Sequence, residues 1–200
     1  MLVLGFDTAT PAVSVALHDG ERVISTASAL DARRHSELLM PMIAKVLADA
    51  GVPRTDLDAV AVGIGPGPYT GLRVGVVTAR VLGSVLGLPV HGVCSLDIIA
   101  AAAVTARRGA EGASPRASTA GPGREFLVAT DARRQEVYWA RYDAAGRRVA
   151  GPQVGPAHLP QPDLALLLLR GFHGVTRLGG PGTRASGRRR SSGSAASSGG

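Results

Sequence analysis

The spacing of apolar residues changes from strand-like to helix-like within the first fifty positions. Residues 2–6 and 12–17 are short apolar runs, Asp19-Gly20 marks a hairpin turn, and residues 23–30 predict a third strand. After Ser36, which we expect to cap a helix, apolar side chains recur at helical spacing. They are Leu38, Leu39, Met42, Ile43, Val46 and Leu47. The pattern predicts a three-stranded meander followed by a covering helix.

The next segment alternates strands and helices. Residues 57–64 form a nearly continuous apolar run, as is typical of a strand buried on both faces. Residues 72–86 predict a helix with Thr70 as its N-cap, and residues 88–93 predict another strand. Ser95 is the expected cap of an alanine-rich helix that runs through Thr105. The order β-β-β-α-β-α-β-α predicts an α/β fold with a mixed sheet.

The second half of the chain predicts a smaller unit. Residues 107–124 are rich in Gly, Ala, Ser, Pro and Arg, which indicates a flexible connection between a first lobe (1–106) and a second lobe (125–178). In the second lobe we expect paired strands, at 126–130 and 137–142, around a turn at 131–133. We also expect a short helix at 164–169 and a strand at 175–178.

The last 22 residues, 179–200, consist mainly of Gly, Ser, Ala and Arg. Such a composition buries too little apolar surface to offset the cost of ordering the chain. Two interpretations stay open, a disordered basic tail and a frame-shifted coding sequence that has replaced a helical C-terminus. Four arginines and no acid lie here, so the tail carries four of the seven net positive charges and the rest is only mildly basic.

Composition narrows the class of protein. No apolar run approaches the roughly 20 residues that span a bilayer, and no signal-like segment opens the chain, so we expect a cytoplasmic protein without membrane contact. The single cysteine, Cys94, excludes an intramolecular disulfide. No metal site is expected, because the histidines lack metal-ligand spacing. They are His18, His35, His91, His158 and His173.

A glycine-rich loop is the main candidate for chemistry. Residues 63–71 combine a strand end, glycines and a helix start, an arrangement that can aim backbone N–H groups at a phosphate. The Gly-Lys-Ser/Thr ending of a P-loop is absent, and the glycine spacing does not fit a dinucleotide fingerprint. The residues of this candidate weak phosphate site are Asp7, Thr8, Gly65, Gly67, Thr70 and Gly71. The alternative is a tight structural turn whose glycines adopt positive φ.

Four ordered segments resemble those of the TsaB (YeaZ) family. They are GFDTAT, RHSELLMPMI, GIGPGPYTGLRVG and DARRQEVYWA. The resemblance covers residues 1–105 and, with fewer matches, 125–150. It implies a two-lobed α/β fold of the actin, sugar kinase and Hsp70 class, which is ribonuclease H-like, with a thin or incomplete second lobe.

The resemblance also implies a role as the non-catalytic partner that dimerises with TsaD. With the ATPase TsaE, that pair supports N6-threonylcarbamoyladenosine formation at position 37 of tRNAs reading codons that begin with A. TsaD carries a metal-binding histidine motif shortly after the strand that corresponds to residues 89–93, and residues 92–99 lack it here. The resemblance therefore implies no catalysis by this chain alone, no required cofactor, and at most weak ATP or ADP binding, mainly through partners.

The resemblance places the partner surface on the two helices of the first lobe. The residues we expect there are Leu38, Met42, Leu72, Val76 and Arg80. Without TsaD the same surface can pair two copies of the chain as a homodimer, and tRNA is expected to be met only through the complex.

Two other function classes stay open. One is an actin-like nucleotide-dependent transferase or peptidase. The other is a basic tRNA-binding module, whose affinity would fall steeply with salt. The arginines that could form its basic face are Arg133, Arg134, Arg141, Arg147 and Arg148.

Overall fold

The computed structural model describes residues 1–31, 33–111, 125–156, 165–169 and 176–178, with the backbone alone for 107–111, 165–169 and 176–178. The tail at 179–200 and most of the predicted connection lie outside the described residues. In the described part the chain forms two five-stranded mixed sheets. Three α-helices accompany the strands there.

The first sheet has the strand order β3-β2-β1-β4-β5. Its first three strands form the predicted antiparallel meander, and β4 and β5 add in parallel to β1. This mixed order agrees with the α/β class predicted from the sequence. The strands are β1 (Val3–Asp7), β2 (Ala12–His18), β3 (Val23–Leu30), β4 (Ala59–Gly63) and β5 (Val90–Val93).

Two helices cover one face of this sheet. The helix α1 (His35–Ala50) packs on β2 and β3, while α2 (Tyr69–Leu86) packs on β4, β1 and β5. The buried side chains alternate along β1, as the period of two requires for one covered face, whereas β4 is buried on both faces. This core contains Leu4, Phe6, Val13, Val15, Leu17, Leu39, Met42, Ile43, Val46, Leu57, Val60, Val62 and Ala79.

The second sheet has the order β10-β9-β6-β7-β8. The helix α3 (Ser95–Glu111) packs on β6 and β7 of this sheet, with Leu96, Ile99, Ala100 and Val104 in its buried cluster. The lobe boundary near residue 106 stays a prediction, although the side chains of α3 join the second core. The strands are β6 (Phe126–Arg133), β7 (Glu136–Tyr142), β8 (Arg148–Pro156), β9 (Ala165–Leu169) and β10 (Thr176–Leu178).

The structure corrects two predictions in this half. The segment predicted as a helix at 164–169 is the strand β9, which pairs in parallel with β6. A continuous leucine run suits a buried parallel strand as well as a helix, and pairing with β6 decides between them. The turn expected at 131–133 lies two to three residues later, at Arg134-Gln135, because β6 continues to Arg133 through a bulge.

The helix starts also differ from the sequence prediction. Ser36 is the second residue of α1, and Thr70 is the second residue of α2, so neither side chain caps its helix. The nitrogen Nε2 of His35 lies 2.8 Å from the carbonyl oxygen of Thr10, so the start of α1 is fastened to the loop after β1 instead. The helix α3 continues to Glu111, into the segment predicted as a flexible connection.

Candidate functional site

The glycine-rich loop packs directly against the end of β1. A β-carbon added to Gly67 would lie 2.0 Å from the carbonyl oxygen of Ala9, and one added to Gly71 would lie 2.4 Å from that of Thr8. Side chains at these positions would therefore clash with backbone that cannot easily move. Among the loop glycines from Gly63 to Gly71, the only positive φ is at Gly65, so close approach explains more of the glycine content than turn geometry does.

Thr8 is a buried hydroxyl whose hydrogen bonds are satisfied by α2. Its Oγ1 donates to the carbonyl oxygen of Gly71 at 2.8 Å and accepts from the backbone N–H of Gly75 at 3.1 Å. Only 1% of Thr8 is exposed. Both hydrogen-bond partners of this hydroxyl belong to α2. Thr8 therefore holds the first turns of α2 against the end of β1.

Asp7 forms the second link at this edge of the sheet. Its Oδ1 accepts a hydrogen bond from the backbone N–H of Ala9 at 2.6 Å, and the Ser95 hydroxyl lies near its carboxylate. The Oγ of Ser95 in turn accepts from the backbone N–H of Gly65 at 3.1 Å. Burial raises the pKa of Asp7, and the Ser95 hydroxyl and the Ala9 N–H offset part of that effect.

The structure thus brings the predicted phosphate-site residues together, but several of their polar groups are already hydrogen-bonded within the chain. The amide of Gly65 is bound by Ser95, and the hydroxyl of Thr8 is bound by α2. Thr70 lies in the first turn of α2 with an exposed side chain. The observed contacts therefore suit a structural junction better than a phosphate cradle, and nucleotide binding here stays a prediction. Ser95 and Gly75 are the participants that the sequence did not single out for this site.

An open cleft of about 570 Å³ lies beside this junction. The loop after β4 lines it with Ile64, Gly65 and Pro66, and β8 lines it with Arg148 and Pro152. Asp97 also lines it and accepts a 2.7 Å hydrogen bond from the Tyr142 hydroxyl. Within the described part of the chain, no group of three or more His, Cys, Asp or Glu residues could hold a metal ion.

The two long sides of α2 differ in residue size. The side towards the sheet carries small residues four apart, Gly71, Gly75, Ala79 and Gly83, which let the helix approach closely. At Gly83, an added β-carbon would lie 2.4 Å from Cγ2 of Val90. On the outer side, Val77, Val81 and Val85 are 50%, 54% and 75% exposed. We call these three valines the outer stripe.

The residues predicted for the partner surface differ in how far their side chains are exposed. Met42 is only 8% exposed and packs within the core, so it offers little surface to a partner, and its place in the interface stays a prediction. Its spacing on α1 turns it towards the sheet. Leu38, Leu72 and Val76 are half-buried, and Arg80 is exposed. The sequence did hold a signal for the outer stripe, because Val77, Val81 and Val85 recur at every fourth residue opposite the small residues.

Most of the candidate basic face is paired with acids. Arg141 lies 3.1 Å from Glu125, Arg147 lies 2.7 Å from Asp143, and Arg148 lies 3.6 Å from Asp97. Arg133 and Arg134 form no ion pair with another described residue and lie at the exposed tip of the β6–β7 hairpin. These ion pairs reduce the positive potential available for nucleic acid.

The comparisons with known proteins agree on one family. The model of the family described as TsaD: tRNA N6-adenosine threonylcarbamoyltransferase matches residues 27–158. The solved structure of YeaZ from Pseudomonas aeruginosa is 31% identical, with a TM-score of 0.66 over 84% of this chain and 74% of that chain. The chain belongs to the TsaB (YeaZ) family. The match, together with the two mixed sheets, confirms the α/β fold class.

Two curated relatives complete the comparison. An uncharacterized protein of Mycobacterium tuberculosis is 46% identical over 171 residues, which cover 82% of this chain and 69% of that protein. The tRNA threonylcarbamoyladenosine biosynthesis protein TsaB of Escherichia coli K12 is 38% identical over 143 residues, or 71% of this chain. The aligned part spans 55% of that TsaB protein. None of the described helices is long and apolar enough to cross a bilayer.

Proposed function

We propose that this chain is the non-catalytic partner subunit that dimerises with a TsaD-type transferase. In that role it supports formation of N6-threonylcarbamoyladenosine at position 37 of tRNAs reading codons that begin with A. The proposal draws on the TsaB family and on the names that its curated relatives carry. It places the chain in the cytoplasm, where the tRNA substrate is available.

The outer stripe of α2 is the observation that carries the partner role. Three valines project from one side of a helix whose other side is already packed on the sheet. Neighbouring exposed positions include Tyr69 and Arg80, and aromatic and arginine side chains are enriched at protein interfaces. A second subunit that covers this stripe would remove an exposed apolar surface from water.

The same stripe supports a homodimer when TsaD is absent. A two-fold contact places one surface against its own copy. The same exposed helix face can therefore bind either TsaD or a second copy of this chain. On this proposal TsaE acts on the assembled pair, and tRNA reaches this chain only through the complex. The chain needs no cofactor of its own, and any ATP or ADP is bound mainly by its partners.

Reconstitution tests the proposal. TsaD, TsaE and the threonylcarbamoyl-adenylate synthase would be supplied with ATP, threonine, bicarbonate and unmodified tRNA, with and without this chain. We expect modification to depend on the chain and the chain alone to show none. Modification that proceeds equally without it, while size-exclusion chromatography shows no complex with TsaD, would refute the proposal.

A matched pair of variants locates the contact. Val81→Glu places a charge in the outer stripe, while Thr26→Glu places the same charge on β3, far from α2. We expect Val81→Glu to abolish both complex formation and the dependence of modification on this chain, and Thr26→Glu to leave both intact. Equal behaviour of the two variants would exclude the outer stripe as the contact.

A further inference from the structure

The chain passes from one packed unit to the other at the start of α3. The strand β5, which belongs to the first sheet, ends at Val93, and α3 begins two residues later, at Ser95. The buried side chains of α3 then pack on β6 and β7 of the second sheet. The first turn of α3 is therefore the covalent and spatial junction between the two sheets.

Apolar packing does not set the relative position of the two sheets in the described part of the chain. One buried hydrophobic cluster contains the first sheet with α1 and α2. The buried residues of the other two lie in α3, β6 and β7, and Cys94, from the connection before α3, packs against one of them. Because units without a large shared apolar interface are expected to move relative to each other, other contacts must hold the junction.

Ser95 forms two hydrogen bonds with Gly65, in the loop that follows β4 of the first sheet. Its backbone N–H donates to the carbonyl oxygen of Gly65 at 2.8 Å, and its Oγ accepts from the Gly65 N–H at 3.1 Å. Its hydroxyl also lies near the Asp7 carboxylate and lowers the pKa of that group. Only 1% of Ser95 is exposed, so water cannot easily replace these partners.

Asp97 binds the second sheet from the same turn of α3. Its Oδ1 accepts the hydrogen bond from the Tyr142 hydroxyl on β7 and lies 3.6 Å from the Arg148 guanidinium on β8. Tyr142 is fully buried and stacks on Phe126, with 5.6 Å between the ring centroids. The partner of Asp97 is thus fixed within the second core.

We propose that Ser95 and Asp97 are positioning residues that together hold the two sheets in one arrangement and so set the width of the cleft between them. Ser95 fastens the first turn of α3 to Gly65, and Asp97 fastens the same turn to Tyr142 and Arg148. The cleft opens beside this turn, with Ile64 and Pro66 on one wall and Pro152 on the other. Loss of either link frees one sheet to move while both cores stay packed.

The distance between the sheets tests this proposal in the full chain. Spin labels would be attached to p-acetylphenylalanine at positions 26 and 136, which leaves Cys94 in place. Thr26 lies exposed on β3 and Glu136 lies exposed on β7, so each label reports one sheet. Pulsed electron spin resonance gives the distribution of distances between them, and thermal unfolding of the same samples gives their stability.

The variants are matched by chemistry. Ser95→Ala removes the hydroxyl at the junction, and Ser36→Ala removes an exposed hydroxyl from α1. Asp97→Ala removes the second link, and Asp49→Ala removes an exposed carboxylate from α1. We expect one narrow distance population for the parent chain and both α1 variants. Ser95→Ala and Asp97→Ala should broaden that population and add a second distance, while Ser95→Thr, which keeps the hydroxyl, should restore the narrow one.

Two results would overturn the proposal. One is a lower melting temperature for Ser95→Ala or Asp97→Ala with an unchanged distance distribution, since that describes local stabilisation without positioning. The other is equal broadening in the α1 variants. If Ser95→Ala does not fold, Asp97→Ala decides the question by the same comparison, because Asp97 lies a third exposed on the cleft wall and its loss leaves the Asp7 contact intact.

Discussion

Thr8 and Gly75 are so close that a side chain on Gly75 would force one of the two residues to move. The Gly75 N–H donates to Oγ1 of Thr8 at 3.1 Å, and a β-carbon on Gly75 would lie 2.5 Å from the same oxygen. The glycine and the threonine are therefore a matched pair, even though 67 residues separate them in sequence. The contact joins the end of β1 to the helix that carries the proposed partner surface.

The first prediction follows from this pair. Gly75→Ala should destabilise the fold by about 1–3 kcal/mol, because overpacking outweighs the gain in helix propensity. Urea unfolding measures the difference. Ser84→Ala, on the exposed side of α2, is the control and should change the unfolding free energy by less than about 0.5 kcal/mol. An unchanged midpoint for Gly75→Ala would show that Thr8 can turn away from α2.

The second prediction concerns the pH dependence of stability. Burial raises the pKa of Asp7 above its ordinary value of 3.8, so its ionised form opposes folding. The stability it contributes is fully present below pH 3.8 and is lost as pH rises through the raised pKa of the folded state. Asp7→Asn removes this loss, and it should therefore raise the melting temperature at pH 7.

The pH profile separates this effect from simple loss of hydrogen bonds. The gain for Asp7→Asn should shrink as pH falls towards 4, with about 2–4 °C of melting temperature for each kcal/mol gained. Asp49→Asn, on the surface of α1, should show no comparable gain at pH 7. A lower melting temperature for Asp7→Asn at every pH would mean that the contacts with Ala9 and Ser95 outweigh the burial of the charge.

The third prediction concerns Tyr142 and its hydrogen bond to Asp97. Tyr142→Phe should cost about 1–2 kcal/mol at pH 7, because the carboxylate loses a buried donor. Tyr138→Phe is the matched control, since the Tyr138 hydroxyl has no hydrogen bond to another described residue. Urea unfolding of both variants at pH 7 measures the difference. Equal losses of unfolding free energy would contradict a stabilising hydrogen bond between Tyr142 and Asp97.

Alkaline pH gives a second measure of the same site. Burial and the Asp97 carboxylate raise the pKa of Tyr142 above its ordinary value of 10.0. The folded chain should therefore lose stability as pH rises past about 10, where the unfolded state ionises first. Tyr142→Phe should reduce that loss. If the unfolding free energy of the variant fell with pH as steeply as that of the parent chain, the prediction would be wrong.

The fourth prediction separates folding from partner binding. Val81→Glu should leave the unfolding free energy within about 0.5 kcal/mol of the parent chain, because Val81 is half exposed and Glu is a better helix former than Val. Its effect should appear only in association, as a shift to monomer in analytical ultracentrifugation. A large loss of stability in the isolated chain would instead place Val81 in the core.

The periodicity of the sequence predicted most of the first sheet and its helices. The strands β1 to β5, the helix α1 and the helix α2 all appear within a few residues of their expected positions. Local pattern was sufficient here because each element has one buried face, and that requirement imposes a period of two or about 3.6. The four ordered motifs likewise identified the TsaB family, which the comparisons confirm.

Contacts between distant segments decided the rest. A leucine run fits a buried helix or a buried strand equally well, and only its pairing with β6 made residues 165–169 a strand. Met42 and Val81 are both apolar helix residues, yet one faces the sheet and the other faces away from it. The sequence alone determined the family, the elements of the first sheet and the glycine-rich loop. The partners of Thr8, Ser95 and Asp97 were decided by the tertiary structure, because a hydroxyl or carboxylate bonds whichever group the fold places within about 3 Å of it.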